Sequence, residues 1–180
     1  MREIAPESCW GQVEGRHVME GRHVMDRDPT AVAREIVDVN LYMVVGTADS
    51  TGQPWATPVY YAPAHYREFY WVSSPDTRHS CNIETRREVS IVIFDSTAPI
   101  DTGNGVYMSA FAEELLADER KTGIDVFSAR SLAHGGRPWT LQDVDAPARL
   151  RLYRATALDV YVLDPHTDRR LRVAGEGIQR

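Results

Sequence analysis

The chain has 180 residues, 43% of them apolar, and its 26 acidic and 20 basic side chains give a formal charge of −6. That length suits one domain with one sizeable core. The acidic balance argues against general nucleic-acid binding and against docking on an anionic membrane. Within the basic count, 19 residues are Arg and the only Lys is Lys121, in the polar run Asp-Glu-Arg-Lys-Thr-Gly. Schiff-base and Walker-type lysine chemistry is therefore nearly excluded. An anion grip must use Arg, His, hydroxyls or backbone N–H groups. Cys9 and Cys81 make no disulfide framework and no C-x-x-C, which predicts a reduced, cytoplasmic setting. No apolar run approaches the roughly 18 residues of a membrane span. The N-terminus lacks the basic start and apolar stretch of a secretory signal.

In chain order, residues 1–27 come first and predict a mobile tail. Glu14 to Met19 reads Glu-Gly-Arg-His-Val-Met, and Glu20 to Met25 repeats it letter for letter. The repeat sets His17 and His23 six apart, a spacing that suits neither a helix face nor a strand face for two metal ligands. It reads as a tandem duplication, or as read-through upstream of a start at Met19 or Met25, and no metal site is expected.

The domain, residues 28–180, opens with Asp28 as N-cap and Pro29 at N1 of a helix whose apolar face is Val32, Ile36 and Val39. A strand follows over Tyr42–Ala48. Turn chemistry in Asp49–Pro54 joins it to a second strand, Trp55–Ala62, as a hairpin. Glu68–Ser73 is an aromatic strand. Ser74-Pro75-Asp76 caps a short helix running to about Arg86, and Val89–Phe94 is the next strand. After a loop over Ala98–Gly105, Val106–Ala112 alternates with Tyr107, Ser109 and Phe111 on one face. Thr122–Ala133 reads as a weak helix ended by His134-Gly135-Gly136. Ala155–Leu163 is a long strand and Leu171–Val173 a short one. Six or seven strands with few helices predict a small barrel rather than βαβ units.

Two stretches carry chemistry. In the first, Ser74 as N-cap and Pro75 at N1 place Thr77, Arg78 and His79 in the first helical turn or just past it. Unpaired N–H groups and the positive dipole end meet hydroxyls and an Arg there. A cation in a first turn is locally unfavourable, and a bound phosphate would reverse that sign. The alternative is an Arg on a solvated face, paired with Asp76 or Glu84. In the second stretch, Trp55-Ala56-Thr57-Pro58-Val59-Tyr60-Tyr61, a Pro inside a strand implies an edge or a bulge. Exposed backbone at such a place can hydrogen-bond a planar polar ring. Alternatively, Trp55, Val59 and Tyr61 are simply core.

The ordered set Thr-Gly-Gln-Pro-Trp-Ala-Thr-Pro-Val-Tyr-Tyr (residues 51–61), Phe-Tyr-Trp-Val-Ser-Ser (69–74), Thr-Arg-His-Ser-Cys-Asn-Ile (77–83) and Glu-Val-Ser-Ile-Val-Ile-Phe-Asp (88–95) resembles the pyridoxamine 5′-phosphate oxidase-related family of flavin split barrels. The resemblance spans roughly Asp28 to Val173. It implies a mainly β fold with flanking helices, a six-stranded antiparallel split β-barrel. It also implies a homodimer that holds flavin mononucleotide (FMN) in the subunit interface. By position, Thr57, Pro58, Val59 and Tyr60 would line the flavin ring and ribityl chain, joined by Val72 and Ser73. Thr77, Arg78 and His79 match the family's Ser-Arg-Lys phosphate grip, with His in place of Lys. The family's late Arg-Leu-His-Asp-Arg-like substrate segment is absent from the run Asp168 to Val173, which puts oxidation of pyridoxamine phosphate in doubt.

Weaker candidates are Tyr107 and Ser109 on one strand face, Arg137 with Trp139, His134 as a haem ligand or a helix C-cap, and Cys81 near the start of the phosphate helix. The expectation is a homodimeric FMN-dependent oxidoreductase acting on a small molecule, with no nucleic-acid or membrane partner and no assignable catalytic acid or base. The alternatives are a reductase using 5-deazaflavin and a non-enzymatic split barrel that binds flavin or haem.

Overall fold

The computed structural model describes residues 27–100, 103–164, 167 and 169–174. The tandem repeat, His17, His23, Cys9 and Asp168 lie outside the described residues. Helix α1 (Pro29–Val39) starts as its sequence predicts, with the Asp28 carboxylate accepting from the Thr30 N–H at 3.1 Å. Its buried face is Val32, Ala33 and Val37, with Ile36 packed at its side. Val39, expected on that face, is 69% exposed, because the last residue of the helix turns away from the sheet.

Strands β1 (Tyr42–Ala48) and β2 (Pro54–Tyr60) form the expected hairpin. Asp49 builds the turn: its carboxylate accepts from the Thr51 hydroxyl, the Thr51 N–H and the Gln53 N–H. Gly52 supplies the positive φ of 89° that the turn requires. The single second strand expected over Trp55–Ala62 breaks at Tyr61. Beyond it runs a short strand, β3 (Ala62–Ala64), which pairs with β4 (Glu68–Ser73).

The remaining elements are α2 (Arg78–Thr85), β5 (Glu88–Phe94), β6 (Gly105–Glu114), α3 (Ala117–Ala133), β7 (Arg151–Asp164) and β8 (Arg169–Arg172). All pairings are antiparallel, in the order β2-β1-β5-β6-β7-β4-β3, and β8 extends the far end of β7. One stretch of chain, residues 54–64, thus supplies both edges of the sheet, and the kink at Tyr61 is where the curled sheet comes round on itself. This is the mainly β split barrel expected, with eight strands rather than six because the kink and the short β8 each add one.

The barrel interior holds Met43, Val45, Tyr61, Phe69, Trp71, Ile91, Ile93, Val106 and Met108. A second cluster, Tyr70, Leu115, Ile124, Phe127, Val144 and Leu152, lies between α3 and the outer face of β4 and β7. Burial on both faces explains why Phe69-Tyr70-Trp71 reads as an unbroken aromatic run. Gly123 lets α3 lie flush on that face: a Cβ there would sit 2.9 Å from Leu115 Cδ1 and from Tyr70 Cε1.

Candidate functional site

A cleft of about 680 Å³ opens between the β2 edge, the end of β4, the start of α2 and the C-terminal end of α3. Seven of the nine residues singled out from the sequence line it: Thr57, Pro58, Val59 and Tyr60 from β2, Val72 and Ser73 from β4, and His79 from α2. Pro58 sits where the sequence places it, on an edge strand whose outer side has no sheet partner.

Helix α2 begins later than its sequence suggests. Residues 74–77 form a turn in which the Thr77 N–H donates to the Ser74 carbonyl at 3.2 Å, and Thr77, not Ser74, is the N-cap. Arg78 and His79 are therefore the first two helical residues. The Thr77 hydroxyl donates to the Ser74 carbonyl (3.0 Å) and lies 3.2 Å from His79 Nε2 and 2.9 Å from Ser80 Oγ. His79 Nε2 also lies 2.9 Å from Ser73 Oγ. Ser73, Thr77, His79 and Ser80 thus make one connected polar cluster at the helix N-terminus, the end that favours an anion. His79 is 4% exposed, and burial pushes its imidazole pKa below the ordinary value.

Thr77 and Arg78 do not line the cleft. Thr77 reaches it only through Ser73 and His79. The Arg78 guanidinium lies over the Trp55 ring at 4.6 Å, a cation–π contact on the β2 edge. Behind the helix, Asn82 donates to Thr47 Oγ1 at 2.9 Å, which ties α2 to β1.

At the other end of the cleft, aromatic rings stack edge to face in series: Tyr42 on Tyr60, Tyr60 on Phe127, and Phe127 on Trp139. Phe127 was not among the sequence candidates, because α3 has almost no amphipathic period to flag it. Arg137 stacks on Trp139 at 3.8 Å and pairs with Asp143 at 2.8 Å. His134 is the C-cap of α3, and its exposed ring stands on the cleft rim. Two hydroxyls on β2, Thr57 Oγ1 and Tyr60 OH, are buried without a hydrogen-bond partner among the described residues. Burial also raises the Tyr60 phenol pKa, so the group is a neutral donor.

Tyr107 and Ser109 lie elsewhere, on the outer face of β6. Arg170 covers Tyr107 at 4.5 Å, and Ser109 bonds Asp159 at 3.3 Å. Cys81 is exposed on α2. Among the described residues there is no cluster of metal-ligating side chains and no helix long and apolar enough to cross a membrane.

No curated protein sequence matches the chain. Among solved structures it is similar to HutZ, the heme storage protein from Vibrio cholerae, at 16% identity and a TM-score of 0.60 over 76% of this chain and 95% of that one. It is similar to a heme binding protein from Mycobacterium smegmatis at 17% identity and a TM-score of 0.63, over 83% of this chain and 59% of the other. A FAD-binding protein from Mesorhizobium loti shares 18% identity with a TM-score of 0.57, over 73% and 91% of the two chains. These likenesses establish the split-barrel fold. The family model described as pyridoxamine 5′-phosphate oxidase matches residues 29–164, every element from α1 through β7, and so the chain belongs to the pyridoxamine 5′-phosphate oxidase family.

Proposed function

We propose that the cleft holds FMN and that the protein is a flavin-dependent oxidoreductase acting on a small molecule. The observation that carries this reading is the pair of buried, unpartnered hydroxyls on the cleft-lining strand, Thr57 Oγ1 and Tyr60 OH. A buried polar group without a partner costs about 1–3 kcal/mol. A planar ring edged with donors and acceptors recovers that cost, and a flavin ring is one. The polar cluster of Ser73, Thr77 and His79 would take the phosphate, aided by the first N–H groups of α2. Bound flavin supplies hydride transfer, and the protein supplies binding and orientation. The FAD-binding relative and the family match support this reading.

A homodimer belongs to the same proposal. Tyr42, on the cleft wall at the start of β1, is 60% exposed, and Trp55, farther along the β2 edge, is 43% exposed. A second copy of the chain would cover these rings and complete the wall. A 5-deazaflavin would use the same hydroxyls and the same phosphate cluster. The heme-binding relatives favour a second reading, in which the exposed His134 on the rim ligates a haem iron. The buried His79 is less suited to that role, because its Nε2 is engaged by two hydroxyls.

The test is titration of the protein with FMN and with riboflavin, read by flavin fluorescence. Saturable binding of FMN, with riboflavin about tenfold weaker for want of the phosphate contacts, is expected. Absence of FMN binding overturns the reading. Equal affinity for the two would remove the phosphate from the Ser73–Thr77–His79 cluster.

A further inference from the structure

A second cavity, of about 540 Å³, shares no lining residue with the cleft. It lies at the barrel mouth, between α1, the β3–β4 turn and the strands β7 and β8. Its volume falls in the range of about 300–1,000 Å³ usual for small-molecule sites. The floor is apolar barrel interior, including Phe69, Val106 and Met108. The mouth carries Arg34, Arg67, Arg172 and His65 against one carboxylate, Asp159. Arg172 pairs with that carboxylate at 2.6 Å. Among the described residues neither Arg34 nor Arg67 has a carboxylate within salt-bridge distance. Arg34 lies over the Tyr66 ring at 5.1 Å, and Arg67 makes one long bond, 3.4 Å, to the Ala157 carbonyl.

Two irregularities of the backbone meet at this mouth. The β3–β4 turn puts two successive residues with side chains, His65 and Tyr66, at φ 52° and 55°. Gly and Asn are the residues that usually take such positions, and a bulky ring there is strained. Opposite, the β6–β7 register passes from Ser109↔Asp159 to Ala110↔Ala157, leaving Leu158 as the extra residue of a β-bulge. Strained turns and bulges persist where they aim side chains at a site.

We propose that the barrel mouth is a second ligand site, for an anionic amphipath of the medium-chain carboxylate class. The chain would lie against Leu158, Val160 and Val173, the more accessible apolar residues of a lining that also includes Met108, and the carboxylate would meet Arg34 and Arg67. This does not depend on what the cleft binds.

The protein labelled with [13C-methyl]methionine, titrated with decanoate and with decanol, tests it by NMR. Met108 lines the cavity and Met43 lies in the core outside it, so Met43 is an internal control. The Met108→Leu variant assigns the resonance. Expected is a saturable shift of the Met108 methyl by decanoate, with decanol about tenfold weaker for lack of the charge-assisted bonds. The doubly substituted Arg34→Gln, Arg67→Gln protein should bind decanoate no better than decanol, with the Met43 signal unchanged to show an intact core. Thr30→Trp, a substitution at the mouth, should block both. A Met108 signal that decanoate leaves unmoved overturns the proposal. So does equal binding of acid and alcohol by the parent protein, or unaltered decanoate binding by the double variant.

Discussion

His79 is the second residue of α2, and its surroundings set its charge. The ring is almost fully buried and contacts two hydroxyls, Ser73 Oγ and Thr77 Oγ1, which can accept from or donate to a neutral imidazole. Its pKa is lowered by desolvation. The sign of the consequence follows from linkage: in acid the unfolded chain, with an ordinary His pKa of about 6.5, takes up the proton more readily than the folded one. Stability from this residue is full above about pH 6.5 and falls as the pH drops below it toward the lowered folded value. Thermal unfolding between pH 7 and pH 5 should therefore show a decline that His79→Gln makes shallower. Identical slopes for the two proteins would mean that His79 is not held neutral by burial. At this scale the sequence was informative where chemistry is local. Thr77 and His79 at a helix start and the edge-strand Pro58 were legible in spacing, whereas Ser73, which completes the hydroxyl cluster, entered only through the family resemblance. The stacking of Arg78 on Trp55 was not, because it joins residues 23 positions apart on different elements.

Helix α1 shows how one element is fixed by others. Its C-terminal carbonyls need donors, and they find them outside the helix. Arg130 from α3 donates to the carbonyls of Val37 (3.2 Å), Asp38 (3.2 Å) and Asn40 (2.8 Å). The Tyr61 hydroxyl donates to Val37 at 2.7 Å, and the Arg130 guanidinium lies over the same Tyr61 ring at 5.2 Å. A cation at a helix C-terminus is also favoured by the dipole. Arg130→Ala should cost about 2–3 kcal/mol, since charge-assisted bonds to part-buried carbonyls are lost together, and urea unfolding measures it. A loss under about 0.5 kcal/mol, the scale of an ordinary surface substitution, would show that water replaces the clamp. Element identity was legible from period and turn chemistry, and element ends were not. Strand β7 begins at Arg151 rather than Ala155, because Arg154 is neutralised by Glu113 and Glu119 and so sits in the sheet despite its charge. Partners on other strands make such a charge tolerable, and hydropathy along one strand cannot show them. Likewise α3 starts at Ala117, ahead of the predicted Thr122, because its polar first turns are held by Arg120 and Glu119 pairing with neighbouring elements.

At the scale of the molecule, the kink at Tyr61 links the sheet edges and sets the two cavities apart. Strand β2 before the kink lines the cleft, while the turn that follows β3 stands at the barrel mouth. The fold was legible because the order of strand, turn and helix signals is distinctive. The aromatic wall of the cleft was only partly so: Phe127 and Trp139 come from a helix and a loop far along the chain, and they meet Tyr60 only in the folded protein. Competition between the two cofactors decides between flavin and haem. The purified protein is mixed with equimolar FMN and haemin, passed through gel filtration, and read by absorbance and by mass of the eluting species. Flavin bands on a species of twice the chain mass are expected. A Soret band without flavin, lost in His134→Ala, would contradict it and establish the haem reading instead.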